Sequence, residues 1–303
     1  MNMSKSVLIS GGTGLVGSEL VKLLQKNGHE VRLLSRSKGK GETPPVFQWD
    51  YKKEYIEEGA FDGVDTLVHL AGAGVADKRW TKDRKEEILK SRTQTSNLLY
   101  EKLKNTDHNV RTLVAASAVG YYGMDTGDTN LREKSPAGHD FLAEVVKAWE
   151  DSTSRFTELG IRVVQIRIGV VLSNEGGALP KLLAPPVAAP LAGGKQFMSW
   201  IHITDLVRVL CKSVEEESMI GSYNGVAPEP LTNRQFTKRA AKAFGKLYLP
   251  IPVPKFVLNL FLGEMAQVVT GGNKVSAYKI SKTGFDFKYA KLQNALEDLA
   301  KNK

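Results

Sequence analysis

The chain of 303 residues is long enough for a large core in one or two domains, and its 42% hydrophobic and 25% charged content is that of an ordinary globular protein. A single cysteine, Cys211, excludes an intrachain disulfide and points to a reducing, cytoplasmic compartment. The formal net charge of +9 is spread along the chain without a nucleic-acid module signature, and no apolar run reaches the ~20 residues of a membrane span, so neither a specific nucleic acid nor a membrane is expected as a partner.

In chain order, Val7–Ser10 is a short apolar run that ends in a glycine cluster, and Leu15–Gln25 carries leucines at helical spacing. Gly28 closes that helix and Glu30–Ser35 opens a second apolar run, which makes a strand, turn, helix and strand within about thirty residues. A third apolar run ends at Trp49-Asp50. Val64–Leu70 then reads as a strand, Trp80–Leu103 as a long helix, Thr112–Ser117 as a strand, Phe141–Leu159 as a helix and Arg162–Arg167 as a strand. Such alternation predicts an α/β fold with a parallel sheet covered on both faces. After Gly169 the pattern weakens. Prolines at 180, 185, 186 and 190 mark an irregular crossing, Phe197–Ile203 a short strand, and Thr204–Glu216 a helix returning to the first domain. From Thr232 the chain is helix-rich, with a stiff connection at Pro250, Pro252 and Pro254 and an amphipathic or buried helix over 256–269. The expected division is residues 1–230 and 231–303, with 170–203 contributing to the substrate side.

Gly11-Gly12-Thr13-Gly14-Leu15-Val16-Gly17 leaves the first strand and opens the first helix. Glycines there allow a sharp turn and a close approach to a diphosphate, which meets the amides and positive dipole end of the helix. The architecture is therefore a Rossmann-type, doubly wound sheet with a smaller, partly interleaved C-terminal lobe. An acid about 20 residues after the glycines would favour NAD. This chain instead has Ser35-Arg36-Ser37, a guanidinium and two hydroxyls that suit the 2′-phosphate of NADP(H). Ala71 and Gly72, after the Val64–Leu70 strand, are small enough for the cofactor to lie across the strand ends. Asp50 is either an adenine contact or the start of a turn.

The chain resembles the extended short-chain dehydrogenase/reductase superfamily, in its atypical branch of "epimerase family" proteins that also carries a SulA-like cell-division label. The resemblance rests on Gly11–Gly17, Arg79-Trp80 with Ser91-Arg92, Ser117–Gly123, Arg167–Leu172, Ser199–Asp205 and Tyr223-Asn224-Gly225, and the tail from Leu262 to Phe287 is similar to that branch's small C-terminal domain. It implies a serine that orients the substrate oxygen, a tyrosine that moves a proton and a lysine that holds the nicotinamide ribose. Ser117 stands at the serine's place and Lys147 at the lysine's. One helical turn before Lys147, where the tyrosine belongs, the chain has Ala143. Tyr122 or Tyr121 is then a displaced proton donor. Two alternatives stay open: a substrate that needs no such acid, and a non-catalytic NADP-binding regulator linked to cell division.

Arg84, Ile88 and Arg92 share one helix face, so Arg92 is a candidate for an acidic or phosphorylated substrate group, with a solvated surface as the plain alternative. His202 is a candidate substrate contact or a hydrogen-bonded structural histidine, and His69 is structural. Histidine, cysteine and acidic residues show no metal-ligand spacing, and no catalytic metal is expected. The function implied is an NADP-dependent oxidoreductase or sugar-nucleotide epimerase-like enzyme acting on a small carbonyl or hydroxyl compound, phosphorylated and nucleotide-linked forms included.

Overall fold

The computed structural model describes residues 4–37 and 44–302. Its first half runs β1 (Ser6–Ser10), α1 (Leu15–Lys26), β2 (Glu30–Ser35), β3 (Val46–Asp50), β4 (Tyr55–Ile56), β5 (Thr66–His69), α2 (Lys82–Lys104), β6 (Thr112–Ala118), β7 (Asn130–Leu131), α3 (Phe141–Ser154), β8 (Arg162–Ile168) and β9 (Val170–Leu172). The second continues with α4 (Ala178–Leu183), β10 (Val187–Ala188), β11 (Phe197–Met198), β12 (Trp200–His202), α5 (Ile203–Glu215), β13 (Gly221–Gly225), β14 (Leu231–Thr232) and α6 (Asn233–Ala243). It closes with β15 (Leu247–Tyr248), α7 (Lys255–Leu262), α8 (Gln267–Thr270), β16 (Lys274–Val275), α9 (Tyr278–Lys282) and α10 (Leu292–Lys301).

Eight strands form one sheet in the order β13-β8-β6-β5-β1-β2-β3-β4, parallel throughout except where β4 turns back on β3. Strand β1 shows why both faces are covered. Alternate residues of a strand point to opposite sides. Val7 and Ile9 join a core with Leu20 and Leu24 of α1 and Leu206 and Leu210 of α5, while Leu8 enters the opposite core with Leu98, Leu99 and Leu103 of α2. This is a Rossmann-type fold. From β1 the chain winds outward through β2 in one direction and through β5 in the other, so a crevice opens at the carboxyl ends of β1 and β5.

Several boundaries follow from local chemistry. Helix α2 starts two residues after Trp80 because the Thr81 hydroxyl accepts from the Arg84 amide at 3.2 Å and caps it. The segment 141–159 divides into α3 and a single 3-10 stretch, Arg155–Leu159, which stops at the left-handed Gly160. The stretch 197–203, expected as one strand, splits because β11 pairs with β14 whereas β12 pairs with β9. A third core containing Leu172, Trp200, Phe236 and Leu296 ties the 170–203 region to α6 and α10. The 256–269 stretch, expected as an amphipathic or buried helix, breaks at Gly263 into α7, a 3-10 turn and α8, and α7 buries none of its residues. Among the described residues no helix is long and apolar enough to cross a membrane.

Candidate active site

The crevice is framed first by the turn after β1. Gly11 has φ +79, and a Cβ there would stand 2.9 Å from the Ala71 amide nitrogen, so the exits of β1 and β5 touch at this point. A Cβ on Gly17 would stand 2.1 Å from the Gly11 carbonyl oxygen, so only glycine lets α1 begin this close to the turn. Gly14 is the amino-cap of α1 and has no side chain to cap it. The first amides of a helix lack partners within the helix, and here Thr13 and Gly14 are exposed while Leu15 and Val16 are half-buried. Gly12 lies against Leu33. The start of α1 is thus an uncovered set of amides at the positive end of a dipole.

After β2 the chain makes a small turn in which the Ser37 amide donates to the Ser35 hydroxyl at 3.3 Å and Gln48 donates to the Arg36 carbonyl at 3.4 Å. Arg36 and Ser37 are exposed, one strand away from the glycine turn. Asp50 accepts from the Lys52 amide at 2.9 Å, which is a turn bond.

The segment after β5 is pinned from behind by α2. The Ala73 amide donates to the Ser91 hydroxyl at 3.0 Å, Arg84 donates to the Gly74 carbonyl, and the Arg92 guanidinium backs Gly72. Ala71 is half-buried and Gly72 exposed, facing the crevice side of that support. Arg92 is buried, donates to the Ile88 carbonyl at 2.9 Å and sits 5.0 Å from the Trp149 ring. It has no acidic partner among the described residues, and burial, with help from the Arg84 charge, pushes its pKa down to about 10. His69, at the end of β5, is held by Ser10 at 2.6 Å and Ser96 at 3.1 Å, and burial drops its pKa to about 3, so its ring is neutral.

The exit of β6 carries the residues expected to do chemistry. Ser117 is buried and donates to Glu150 at 2.5 Å. Glu150 also receives Arg167 through Nε and Nη2, both at 2.8 Å, in an ion pair whose side chains are 9% and 4% exposed. Arg167 Nη1 donates to the Tyr122 hydroxyl at 3.0 Å, and Tyr122 donates to Asn224 at 2.7 Å. Burial raises the Tyr122 pKa against the opposing pull of Arg167. Ser117 and Tyr122 are therefore joined through one buried network, with their hydroxyls turned into it. Tyr121 is half-buried, with the Arg167 guanidinium 3.4 Å from its ring centre.

On α3, Ala143 is buried and Lys147 is exposed. The side chains that approach Gly120 in the β6 exit are Leu142 and Val146, a different i, i+4 pair and an apolar one. His202 is 2% exposed, accepts from the Thr204 amide at 3.1 Å as the amino-cap of α5, and packs 4.0 Å from the Tyr289 ring. Burial lowers its pKa. Its place is an internal joint between α5 and the C-terminal segment, and its burial and capping bond fit the hydrogen-bonded structural histidine rather than the substrate contact.

Sequence reasoning missed the Glu150–Arg167 pair. Its only signal was an arginine within a largely apolar strand and an acid beside Trp149. Also unforeseen is a cleft of about 530 Å³ beside the β6 exit, lined by Met124, Asp125, Lys255, Asn259, Glu264 and Gln267 among others. One of its walls, α7, is tied down by Arg79, which donates to the Leu260 carbonyl at 2.9 Å.

Among the described residues His29, Cys211 and Glu215 bring ligand-type atoms within 4.8 Å of one another. Glu215 accepts from His29 and Asn27, both at 3.0 Å, and from Cys211 at 3.3 Å. His29 Nδ1 accepts from the Lys5 amide at 3.1 Å, which puts the ring proton on Nε2, the atom facing Glu215. Burial raises the Cys211 thiol to about 12. The cluster is a hydrogen-bonded clasp between α1 and α5.

Residues 7–224 match the NAD dependent epimerase/dehydratase family. The chain belongs to that family. Residues 253–299 match a domain of unknown function (DUF1731) that follows the family domain here. An epimerase family protein of Staphylococcus aureus (strain MRSA252) is 37% identical over 298 residues, covering 97% of this chain and 99% of that protein. Among solved structures, the human epimerase family protein SDR39U1 (isoform 2) with NADPH superposes with a TM-score of 0.90 at 32% identity, covering 98% of this chain and 100% of that one. A nucleoside-diphosphate sugar epimerase from Corynebacterium glutamicum has a TM-score of 0.81 at 31% identity, covering 99% of this chain and 59% of that one. The alignment with the Staphylococcus aureus protein runs through the C-terminal domain, so the epimerase-family resemblance covers both parts of the chain.

Proposed function

We propose that this epimerase-family protein binds NADP(H) across the β1–β5 crevice and acts as an oxidoreductase on a small carbonyl or hydroxyl compound held in the adjoining cleft. The observation that carries the reading is the cradle: positions 11 and 17 have no room for a Cβ, and the amides that open α1 are left uncapped. A dinucleotide fits that donor set, with its diphosphate on the amides of Thr13 and of Leu15 to Gly17, since the Gly14 amide donates to the Gly11 carbonyl at 3.1 Å. Arg36, exposed and flanked by Ser35 and Ser37, holds the 2′-phosphate. Ala71 and Gly72 give the passage along the β5 exit. The similar human protein was solved with NADPH, which supports the same choice. When bound, the nicotinamide supplies hydride transfer.

Tyr121 is the proton-moving group in this reading. Of the two tyrosines after β6 it is the one whose hydroxyl has no hydrogen-bond partner among the described residues. Ser117, Tyr122, Glu150 and Arg167 act behind it as positioning residues that fix the β6 exit. Lys147 is exposed, so in this reading it is not a buried ribose clamp. Arg92 supports Gly72 and orients the β5 exit toward the ligand.

Calorimetric titration with NADPH and NADH tests the cofactor claim, and no heat with either nucleotide overturns it. Turnover of a carbonyl and sugar-nucleotide panel, followed at the nicotinamide absorbance with Tyr121→Phe as control, tests the chemistry. A second reading, a non-catalytic NADP-responsive protein, is favoured by the apolar Leu142–Val146 face at Gly120. Tight nucleotide binding with no turnover across the panel selects it.

A further inference from the structure

The C-terminal part of the chain carries an outward face with an unusual composition. From Pro230 to Gly263 there are six cations, Arg234, Lys238, Arg239, Lys242, Lys246 and Lys255, and no aspartate or glutamate. From Gly176 to Thr204 there are two more, Lys181 and Lys195, and again no acid. The two stretches are one surface. Strand β10 pairs with β15, Leu191 bridges to Val253, and Arg234 donates to the Pro250 carbonyl at 2.8 Å.

The apolar residues of this surface point outward. Leu247, Leu249 and Ile251 alternate along an extended segment, so they share a side, and they are 65%, 43% and 73% exposed. Phe256 and Leu260 lie one turn apart on α7 and are each 73% exposed, with Phe261 beside them at 71%. These are the large hydrophobics that a chain of this size normally buries. Beside them Arg234, Lys238 and Lys242 recur every fourth residue on α6, all exposed, which makes one cationic stripe that begins at the Pro250 carbonyl.

We propose that this face seats the protein on an anionic lipid surface, with Leu247, Leu249, Ile251, Phe256, Leu260 and Phe261 entering the headgroup boundary and the α6 stripe meeting lipid phosphates. Apolar side chains combined with basic neighbours and no acid is the composition that binds such a surface in plane. No helix has to cross the bilayer. A second copy of this chain is a poor occupant, because a twofold contact through this face would set the cationic α6 stripe against its own copy. The proposal stands apart from the dinucleotide reading and uses none of its residues.

The test is co-sedimentation of the full chain with vesicles of phosphatidylcholine and of phosphatidylcholine mixed equally with phosphatidylglycerol. Binding to the mixed vesicles alone, weakening as salt rises, is expected. Lys238→Gln with Lys242→Gln lowers the partition constant roughly 25-fold, about fivefold per cation removed. Phe256→Ser with Leu260→Ser abolishes binding at low salt, while circular dichroism and melting show both variants folded. No sedimentation, equal sedimentation with both vesicle types, or binding unaffected by either variant overturns the proposal. So does a dimer in light scattering that Phe256→Ser with Leu260→Ser dissolves, or capture by polyglutamate in the absence of vesicle binding.

Discussion

Replacing Glu150 by alanine tests the claim that the β6 exit is held by a buried ionic network. The substitution removes the acceptor of three short hydrogen bonds, from Ser117 Oγ and from Arg167 Nε and Nη2. It leaves a guanidinium with a 4% exposed side chain whose surviving partners are the Tyr122 hydroxyl and the Glu133 carbonyl. Breaking a buried pair by removing one member costs about 3–5 kcal/mol, because the stranded charge is neither solvated nor compensated. At about 2–4 °C per kcal/mol for a chain of this order of size, the melting temperature falls by roughly 6–20 °C. Urea unfolding and calorimetry of Glu150→Ala, Arg167→Met and the double variant give the coupling. Removing both charges together is expected to cost clearly less than the sum of the single losses, since no ion is then stranded. A Glu150→Ala loss below about 1 kcal/mol, the scale of an exposed pair, or strict additivity in the double variant, refutes the argument.

Three further outcomes are expected. Gly17→Ala places a methyl 2.1 Å from the Gly11 oxygen, so α1 must move and NADPH affinity drops by at least about tenfold in calorimetry, with the melt of the nucleotide-free protein reporting how much is strain. Arg36→Ala weakens NADPH by roughly 10- to 100-fold, the scale of a lost charge-assisted bond, and leaves NADH within about twofold; equal losses for both nucleotides would remove Arg36 from the 2′-phosphate. The His69 ring has its folded pKa depressed to about 3 against 6.5 for an ordinary histidine, so the unfolded chain takes up the proton first. Stability from this group is therefore full above about pH 7 and is lost as pH falls from there toward 3, at up to about 1.4 kcal/mol per pH unit. The urea midpoint should follow that slope, and a His69→Gln variant that titrates identically to wild type would assign the slope to other groups.

The cradle was legible because backbone geometry dictates residue type there: only glycine fits positions 11 and 17, and the strand and helix on either side have clear periodicities. The alternation up to Arg167 was legible for the same reason wherever an element is long enough to show a period, which the two-residue strands β4 and β7 are not. Beyond Gly169 all the strands but the five-residue β13 are two or three residues long and are defined by partners distant in sequence, such as β12 with β9, and no local pattern announces them. The β6 exit failed differently. Ser117 and Tyr122 are residue types that chemistry uses, but their surroundings depend on Glu150 and Arg167, which reach them through tertiary packing. Lys147 shows how one residue matters on a helix: the pair that faces the β6 exit is Leu142 and Val146, a rotation of about 100° from Ala143 and Lys147.

These placements separate two properties that the family combines. The β1 turn and the β5 exit are fixed by contacts that involve no residue of the β6 exit: glycine against Ala71, Ala73 on Ser91, Gly74 on Arg84. The β6 exit is fixed by the Glu150–Arg167 network, which in turn reaches Asn224 on β13 at the sheet edge. Nucleotide affinity and the geometry at Tyr121 are thus supported by different parts of the sheet. A lesion in the network, such as Glu150→Ala, is then expected to degrade any turnover more than NADPH affinity, whereas Gly17→Ala is expected to act on affinity first. If both variants lost affinity and turnover in the same proportion, the two supports would be one, and the assignment of the buried network to positioning would fall with it.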